Sequence, residues 1–522
     1  MRSISHRQIM TSCAKTSLLG LALVSLASCS SGDSSSGTPS SSGSAALQGP
    51  MAFVNNTGDK SLTSVALRGD SGNAVVGTIP AAEFENVALG DMQFSGGDWL
   101  FVNITGTNSL GQPVHKVATI DPLTSAIPVH ETNLTTGTRP VHIYRDPTDS
   151  EVIWSMNDGD NASGTTTPGD DLINCAPPAP APGQNYGSSV TILHNSHLGP
   201  GANPPTVEKT VCLLADGHHV TAFSSGVPGV PNRAFVSSET GGEIAVIDNQ
   251  LNSTTKWTMT HRIDLCNPLK EANPCDDESL TLSTTPFTPN NAHPHGIRWS
   301  KHMQKVYSIQ EGYGEIAEID PDTLNITRRF DLAGTPYTSF GITPEGRFLL
   351  LRGQTTIPQA TKLGIIDLSL ATPVIIDLTN AALDAALAGT SPGSFKFSPD
   401  GKRFYILAGN AVGTKQDRLF AFNASTLTAT PPALTLLREI PLTAGGDSVG
   451  LNAAHNIDVL AQGAPGAGEA KYIVVSNRLD NSVSIINATD NIVKQTVQVG
   501  LTPGGVMIYY PGAAAAGNQA SS

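Results

Sequence analysis

The chain has 522 residues, 44 acidic against 30 basic side chains and a formal charge of −14. That balance argues against nucleic acid as a partner and against electrostatic docking on anionic lipid. Only 14% of residues are charged, while 51 Gly and 36 Pro are present, a composition that favours many short strands and turns over long amphipathic helices.

In chain order, Arg2, Arg7 and Lys15 form a positive start with no acidic residue. An apolar run follows from Leu18 to Ala27 and ends at Leu26-Ala27-Ser28-Cys29. A basic start, a short apolar core and small residues at the cut mark a secretory signal over residues 1–28, too short for a permanent span. Removing its three positive charges takes the formal charge from −14 to −17. The Leu-Ala-Ser-Cys ending resembles the lipobox of bacterial lipoproteins. The resemblance implies that Cys29 carries a diacylglycerol and becomes the first mature residue, with Ser30 directing it to the outer membrane. Residues 29–49 are rich in Ser and Gly, cannot bury apolar surface, and read as a flexible tether. No later stretch reaches eighteen apolar residues, so the remainder is expected to be soluble.

Six cysteines fit export. Cys13 leaves with the signal and Cys29 is the anchor, which leaves Cys175, Cys212, Cys266 and Cys275 for an oxidising compartment. Three pairings are open. Cys266–Cys275 across a short loop and Cys175–Cys212 closing a long insertion are favoured. A structural zinc site is the rival, but no CxxC or other tight pair is present.

From residue 50 onward one unit recurs. Its clearest copy starts at Lys471. Tyr472 to Asn477 reads as a buried strand, Asn481 to Ile486 as its alternating partner and Ile492 to Val499 as a third strand. A Gly-Leu-Thr-Pro-Gly-Gly turn then opens another. Copies run from Ala234, Val306, Leu100 and Ala52, and degenerate ones begin near Val152, Phe348 and Phe404. Thr343-Pro344-Glu345-Gly346 and Ser398-Pro399-Asp400-Gly401 suit tight turns, because Pro presets φ and Gly takes positive φ. A short helix is expected near Asn380 to Ala388.

This unit resembles the YVTN repeat of bacterial surface and periplasmic propellers, including the cytochrome-d1-like ones. The matching residues are Val475-Ser476-Asn477, Asn481 to Ile486, and Val499-Gly500 with Pro503. The resemblance implies an all-β fold over 50–512: a β-propeller of four-stranded antiparallel blades, followed by a disordered tail over 513–522. Innermost strands are expected near Leu89, His142, His219, His295, Thr338, Gly393, His455 and Gly504. The last has no second strand after it and the unit near Ala52 has no innermost strand before it. The two are therefore expected to share a blade and close a ring of eight, with seven as the alternative. Blade two carries a long insertion, roughly Asn157 to Asn185, and a second loop runs from Cys266 to Asn291.

No HExxH, CxxCH, Walker A or strand–helix GxGxxG is present. Histidine placement is the remaining signal. His142, His219 and His295 start the innermost strands of three consecutive blades, at the register expected to ring the mouth of the central channel. His218 and His293 flank them. Neutral imidazole is a common ligand of zinc and copper, so His142, His219 and His295 form a candidate transition-metal set. Asp216, His218 and His293 could complete it or support it. His455 lies opposite. Glu239, Glu311 and Glu315 form a second, acidic set. The same histidines also admit a hydrogen-bonding role or a catalytic one. Three functions follow: an envelope binding or scaffold protein holding zinc or copper, a propeller enzyme of lactonase or dehydrogenase type, or an adhesion module using the blade-two insertion. The expected partners are the membrane, through the lipid, and an envelope protein; the chain is expected to be a monomer.

Overall fold

The computed structural model describes residues 49–510 except 97, 123–127, 160–187, 196–203, 214–216, 277–278, 282–287, 357, 379, 411–416, 443–453 and 463–467. The signal, Cys29, the tether, Cys175, most of the blade-two insertion and the tail lie outside the described residues. Among the described residues no helix is long and apolar enough to cross a membrane.

The described residues fold into eight antiparallel sheets. Seven are built from consecutive strands, beginning with Ala88–Phe94, Pro140–Arg145, Thr221–Ser224, Pro294–Ser300, Tyr337–Ile342, Thr390–Phe397 and Ala454–Ala461. These are blades one to seven. The eighth places Pro503–Tyr509 against the first strand of the propeller, Met51–Asn56, with Ser61–Ala66 and Ala74–Ile79 outside it. The first strands of neighbouring blades touch around most of the ring, which puts them on the central channel. The fold is therefore the eight-bladed propeller that the repeat implied.

Closure is a matter of register. Met51 pairs with Tyr509, Ala52 with Ile508, Phe53 with Met507 and Val54 with Val506. Phe53 packs edge-on against Phe94 of blade one at 5.6 Å and against Tyr509 at 6.4 Å. One aromatic cluster thus ties both chain ends to the next blade, and no unpaired sheet edge is left where the ring closes.

The middle strands are apolar on both faces because each lies between two neighbouring blades. Met51–Asn56 and Ser61–Ala66 are buried at every position, while the outer strand Ala74–Ile79 is mostly exposed. The Asn that ends the repeat's second strand has a fixed task. Asn56 donates to Ser61 and Thr63, Asn157 to Ser189 and Thr191, and Asn477 to Ser482 and Ser484, all at 2.9–3.0 Å. One buried amide thereby satisfies two hydroxyls two residues apart on the next strand, which is why the repeat needs a small hydroxyl at both places.

The Gly346 N–H donates to the Thr343 carbonyl at 2.7 Å, and the Gly401 N–H to that of Ser398 at 2.8 Å. Both glycines have positive φ, 81° and 71°. The expected helix is Ala381–Leu387, capped by the Asn380 side chain, which accepts from the N–H groups of Ala382 and Leu383.

Two details differ from expectation or complete it. Blade three has five strands, because Ser279–Thr281 pairs with Met259–Asp264 inside the loop expected after Cys266. The same loop holds the disulfide Cys266–Cys275, with Cα atoms 5.5 Å apart. Cys212 is also disulfide-bonded. Disulfides fit an extracytoplasmic, oxidising compartment.

Candidate metal centre at the channel mouth

Strand geometry puts the start of each innermost strand at one end of the channel. His142 sits in Pro140–Arg145, His295 in Pro294–Ser300, and His218 just ahead of Thr221–Ser224. These are blades two, four and three, so three neighbouring blades each bring one imidazole to the same mouth. The His142 and His218 rings lie 4.6 Å apart between centroids, and the His218 and His295 rings 5.1 Å.

Each ring is oriented by a different carboxylate. His142 Nδ1 is 2.6 Å from Asp91 Oδ2, His218 Nδ1 is 3.2 Å from Asp158 Oδ2, and His295 Nδ1 is 3.1 Å from Glu311 Oε1. An ionised carboxylate only accepts hydrogen bonds, so each Nδ1 carries the proton and donates. In the neutral ring that leaves Nε2 as a bare lone pair. Carboxylate-held imidazoles with a free second nitrogen are the usual arrangement behind metal ligands.

The two Nε2 atoms of His142 and His218 are only 2.8 Å apart. Two lone pairs facing at that distance repel unless a proton or another cation lies between them. Access rises across the trio: the side chains are 11% exposed at His142, 23% at His218 and 45% at His295. The ring of blade four is therefore the most open of the three.

Zinc–nitrogen bonds of about 2.0–2.1 Å in a tetrahedron separate the nitrogens by about 3.3 Å. The observed 2.8 Å is a hydrogen-bond spacing, so the pair would open by roughly half an ångström around an ion. Among the described residues no group of three or more His, Cys, Asp or Glu already stands in a metal-holding arrangement. The donor chemistry fits zinc or copper; the spread of the rings is that of a collected, unexpanded set.

The structure places one candidate differently from its neighbours. His219, placed in the candidate set by alignment, is fully buried, and its Nδ1 donates to the Ser237 carbonyl at 2.7 Å. Its Nε2 is a buried atom with no partner among the described residues. Burial pushes its pKa down, so it is held neutral. The adjacent His218 faces the other imidazoles instead. The reason is local: Asp158 accepts the His219 backbone N–H at 3.2 Å while its other oxygen holds His218. One carboxylate so fixes which of two consecutive rings points inward.

His293 is exposed, with a left-handed φ of 46°, and its carbonyl accepts the Glu311 N–H. It shapes the turn that carries Glu311. Asp216 and the His455 side chain lie outside the described residues.

The acidic set divides. Glu311 holds His295, and the hydrogen bond raises the pKa of that imidazole; Glu239 adds a smaller electrostatic contribution. Glu315 belongs elsewhere. It is buried in ion pairs with Arg329 and Lys270. Asp91 and Asp158 are the residues that sequence reasoning missed. Asp158 directly follows the repeat's second-strand Asn157, and Asp91 follows Gly90 in an innermost strand.

No protein-family model matches the chain, and no curated sequence matches it. Solved structures do share its fold. The dihydro-heme d1 dehydrogenase NirN is 11% identical, with a TM-score of 0.52 over 88% of this chain and 74% of that one. AztD of Citrobacter koseri is 12% identical, with a TM-score of 0.50 over 89% and 98%. A putative 6-phosphogluconolactonase from Bacteroides uniformis is 13% identical, with a TM-score of 0.43 over 78% and 98%. At such identities the likeness concerns architecture, which hosts many activities.

Proposed function

We propose that this propeller is an extracytoplasmic metal-binding protein that takes one zinc or copper(II) ion on the Nε2 atoms of His142, His218 and His295. The observation that carries the reading is the set of three imidazoles whose Nδ1 atoms are each engaged by a separate carboxylate, two of them meeting Nε2 to Nε2 at 2.8 Å. An ion there removes the lone-pair repulsion and is balanced by Asp91, Asp158 and Glu311. In this reading the lipidated Cys29 and the Ser-rich tether hold the propeller at the outer membrane, so the metal site works as an envelope reservoir or delivery point for a partner protein.

A second reading rests on the same geometry. Three nitrogen ligands leave a coordination position for water, as in zinc hydrolases. Turnover of a lactone panel, dependent on metal and lost in His218→Ala, would favour an enzyme; metal binding without turnover favours the reservoir.

The test is elemental analysis and calorimetric titration of mature protein stripped of metal and reloaded. About one zinc or copper per chain in the wild type, lost in the His142/His218/His295 triple alanine variant, is expected. Failure of the folded wild type to take up either metal would sink the reading.

A further inference from the structure

In blade three the strand Met259–Asp264 runs into a loop with two closures. The disulfide Cys266–Cys275 is one. Asp264 is the other: its Oδ1 accepts the Cys266 N–H at 3.0 Å and its Oδ2 the Asp276 N–H at 2.9 Å. Inside the ring, the Asn267 carbonyl accepts the N–H groups of Lys270 and Glu271 at 2.9 and 2.8 Å. The loop therefore presents Lys270 and Glu271 on a fixed frame.

Both side chains reach blade four. Glu271 Oε2 accepts the Asn291 backbone N–H at 2.9 Å and the Tyr313 hydroxyl at 2.8 Å, and the Asn291 side-chain amide donates to both carboxylate oxygens at 3.1 Å. Lys270 Nζ donates to the Tyr313 carbonyl at 2.8 Å. The bonds from Asn291 and Tyr313 hold the Glu271 carboxyl at about 2, below its ordinary 4.5, so it is a full anion and a strong acceptor. Asn291 lies four residues before His295, and Tyr313 two residues after Glu311.

Blade four is where such an anchor matters. His142 is held by Asp91 from blade one and His218 by Asp158 from blade two, in each case a carboxylate of the preceding blade. His295 is held by Glu311 of its own hairpin, a bond that fixes the pair internally but ties it to no other blade. The strand ladder adds little there. Pro294 pairs with Gln310 and the next pair is Ile297 with Ser308, so His295 falls where the register shifts. The two segments that carry the pair are pressed together. The Glu311 N–H donates to the His293 carbonyl at 3.2 Å and that of Gly312 to the Ala292 carbonyl at 3.1 Å. A Cβ on Gly312 would lie 1.9 Å from the Asn291 carbonyl oxygen. A shift of Asn291 or Tyr313 is therefore passed on to His295 and Glu311.

We propose that Glu271 is a positioning residue of the metal centre, clamping the His295–Glu311 pair in place from the disulfide-closed loop of blade three. It does for that pair what Asp91 and Asp158 do for His142 and His218: it ties a ligand to the blade before it. The inference rests on the metal-binding reading. Glu271 acts through Asn291 and Tyr313 and is not itself a ligand.

Zinc competition with a chromophoric chelator on the mature chain tests this. Glu271→Ala is expected to bind zinc about tenfold more weakly at unchanged stoichiometry. Glu271→Gln keeps an acceptor oxygen for Asn291 and Tyr313 and should recover most of the loss. Cys266→Ser/Cys275→Ser opens the loop and should weaken zinc in the same direction, whether or not Glu271→Ala folds. The decisive comparison is made in His295→Ala, where His142 and His218 still bind zinc. With the third ligand gone, Glu271→Ala or the double serine variant should have no further effect, whereas a general loss of structure would weaken zinc in both backgrounds. Circular dichroism and urea midpoints identify the folded variants. Unchanged affinity in folded Glu271→Ala or in the folded double serine variant, or an equal loss with and without His295, overturns the proposal and leaves the metal reading intact. A wild type that takes up no zinc overturns both.

Discussion

His142 and His218 meet Nε2 to Nε2 at 2.8 Å while their Nδ1 atoms are held by Asp91 and Asp158 on opposite sides. Two aspartates therefore set the tautomer of two rings from different blades, and the shared gap between them is where a cation is best accommodated. Removing the orienting groups should affect metal affinity without removing a ligand. Asp91→Asn and Asp158→Asn are each expected to weaken zinc by about 10–100-fold in competition with a chromophoric chelator. His219→Ala is expected to keep the metal stoichiometry while lowering stability, because its ring is turned to Ser237. Loss of zinc in His219→Ala with a native circular dichroism spectrum would move that residue back into the ligand set.

Stability should fall as pH rises, through a buried carboxyl outside the histidine cluster. Glu243 is buried in blade three, 3.5 Å from Arg262, and burial pushes its carboxyl from the ordinary 4.5 up to about 7. Asp264 on the facing strand is pushed up to about 6, also by burial. Both folded values are raised, so the folded state holds these protons more tightly than the unfolded chain. The stability from Glu243 is fully present below about pH 4.5 and is lost as pH rises through 7, a fall on the order of 3 kcal/mol. Urea midpoints measured from pH 4.5 to 8 should show this slope, and Glu243→Gln should flatten it. Identical slopes in the two proteins would remove Glu243 as its source.

Ring closure should matter more than any single blade. Deleting residues 503–522 removes the strand that pairs with Met51–Asn56 and exposes an edge inside the ring. Loss of cooperative unfolding and self-association in sedimentation are expected. A milder version is Phe53→Ala, which takes one ring from the Phe53–Phe94–Tyr509 cluster. It should cost about 3–5 kcal/mol in chemical denaturation.

The Asn of the repeat should have a similar value wherever it occurs. Asn477→Ala strips Ser482 and Ser484 of a buried donor, as Asn56→Ala does for Ser61 and Thr63. Each is expected to cost about 1–3 kcal/mol. The two sites lie on different blades with separate partners, so the double variant should be near the sum. Strong non-additivity would show that these blades unfold as one coupled pair.

The sequence by itself determined the architecture. Strand pattern, turn chemistry and the Asn-to-hydroxyl spacing are local properties repeated along the chain, and each copy carries enough to specify one blade. The count of eight and the shared closing blade followed from the unpaired copies at the two ends. Asn380 capping a helix and Cys266 reaching Cys275 were legible for the same reason, since the partners lie within a few residues. The fifth strand of blade three was not, because Ser279–Thr281 has no pattern of its own and is defined by the edge it pairs with.

The candidate site was legible only as a neighbourhood. Its histidines stand out in sequence, but which of His218 and His219 faces the channel depends on Asp158, sixty residues earlier, because consecutive side chains in extended backbone point to opposite sides. Asp91 and Glu311 join the site only when blades one, two and four are brought around the axis. Tertiary structure decided these features because they are distances between repeats, and a repeat encodes its own fold without encoding what its neighbour presents.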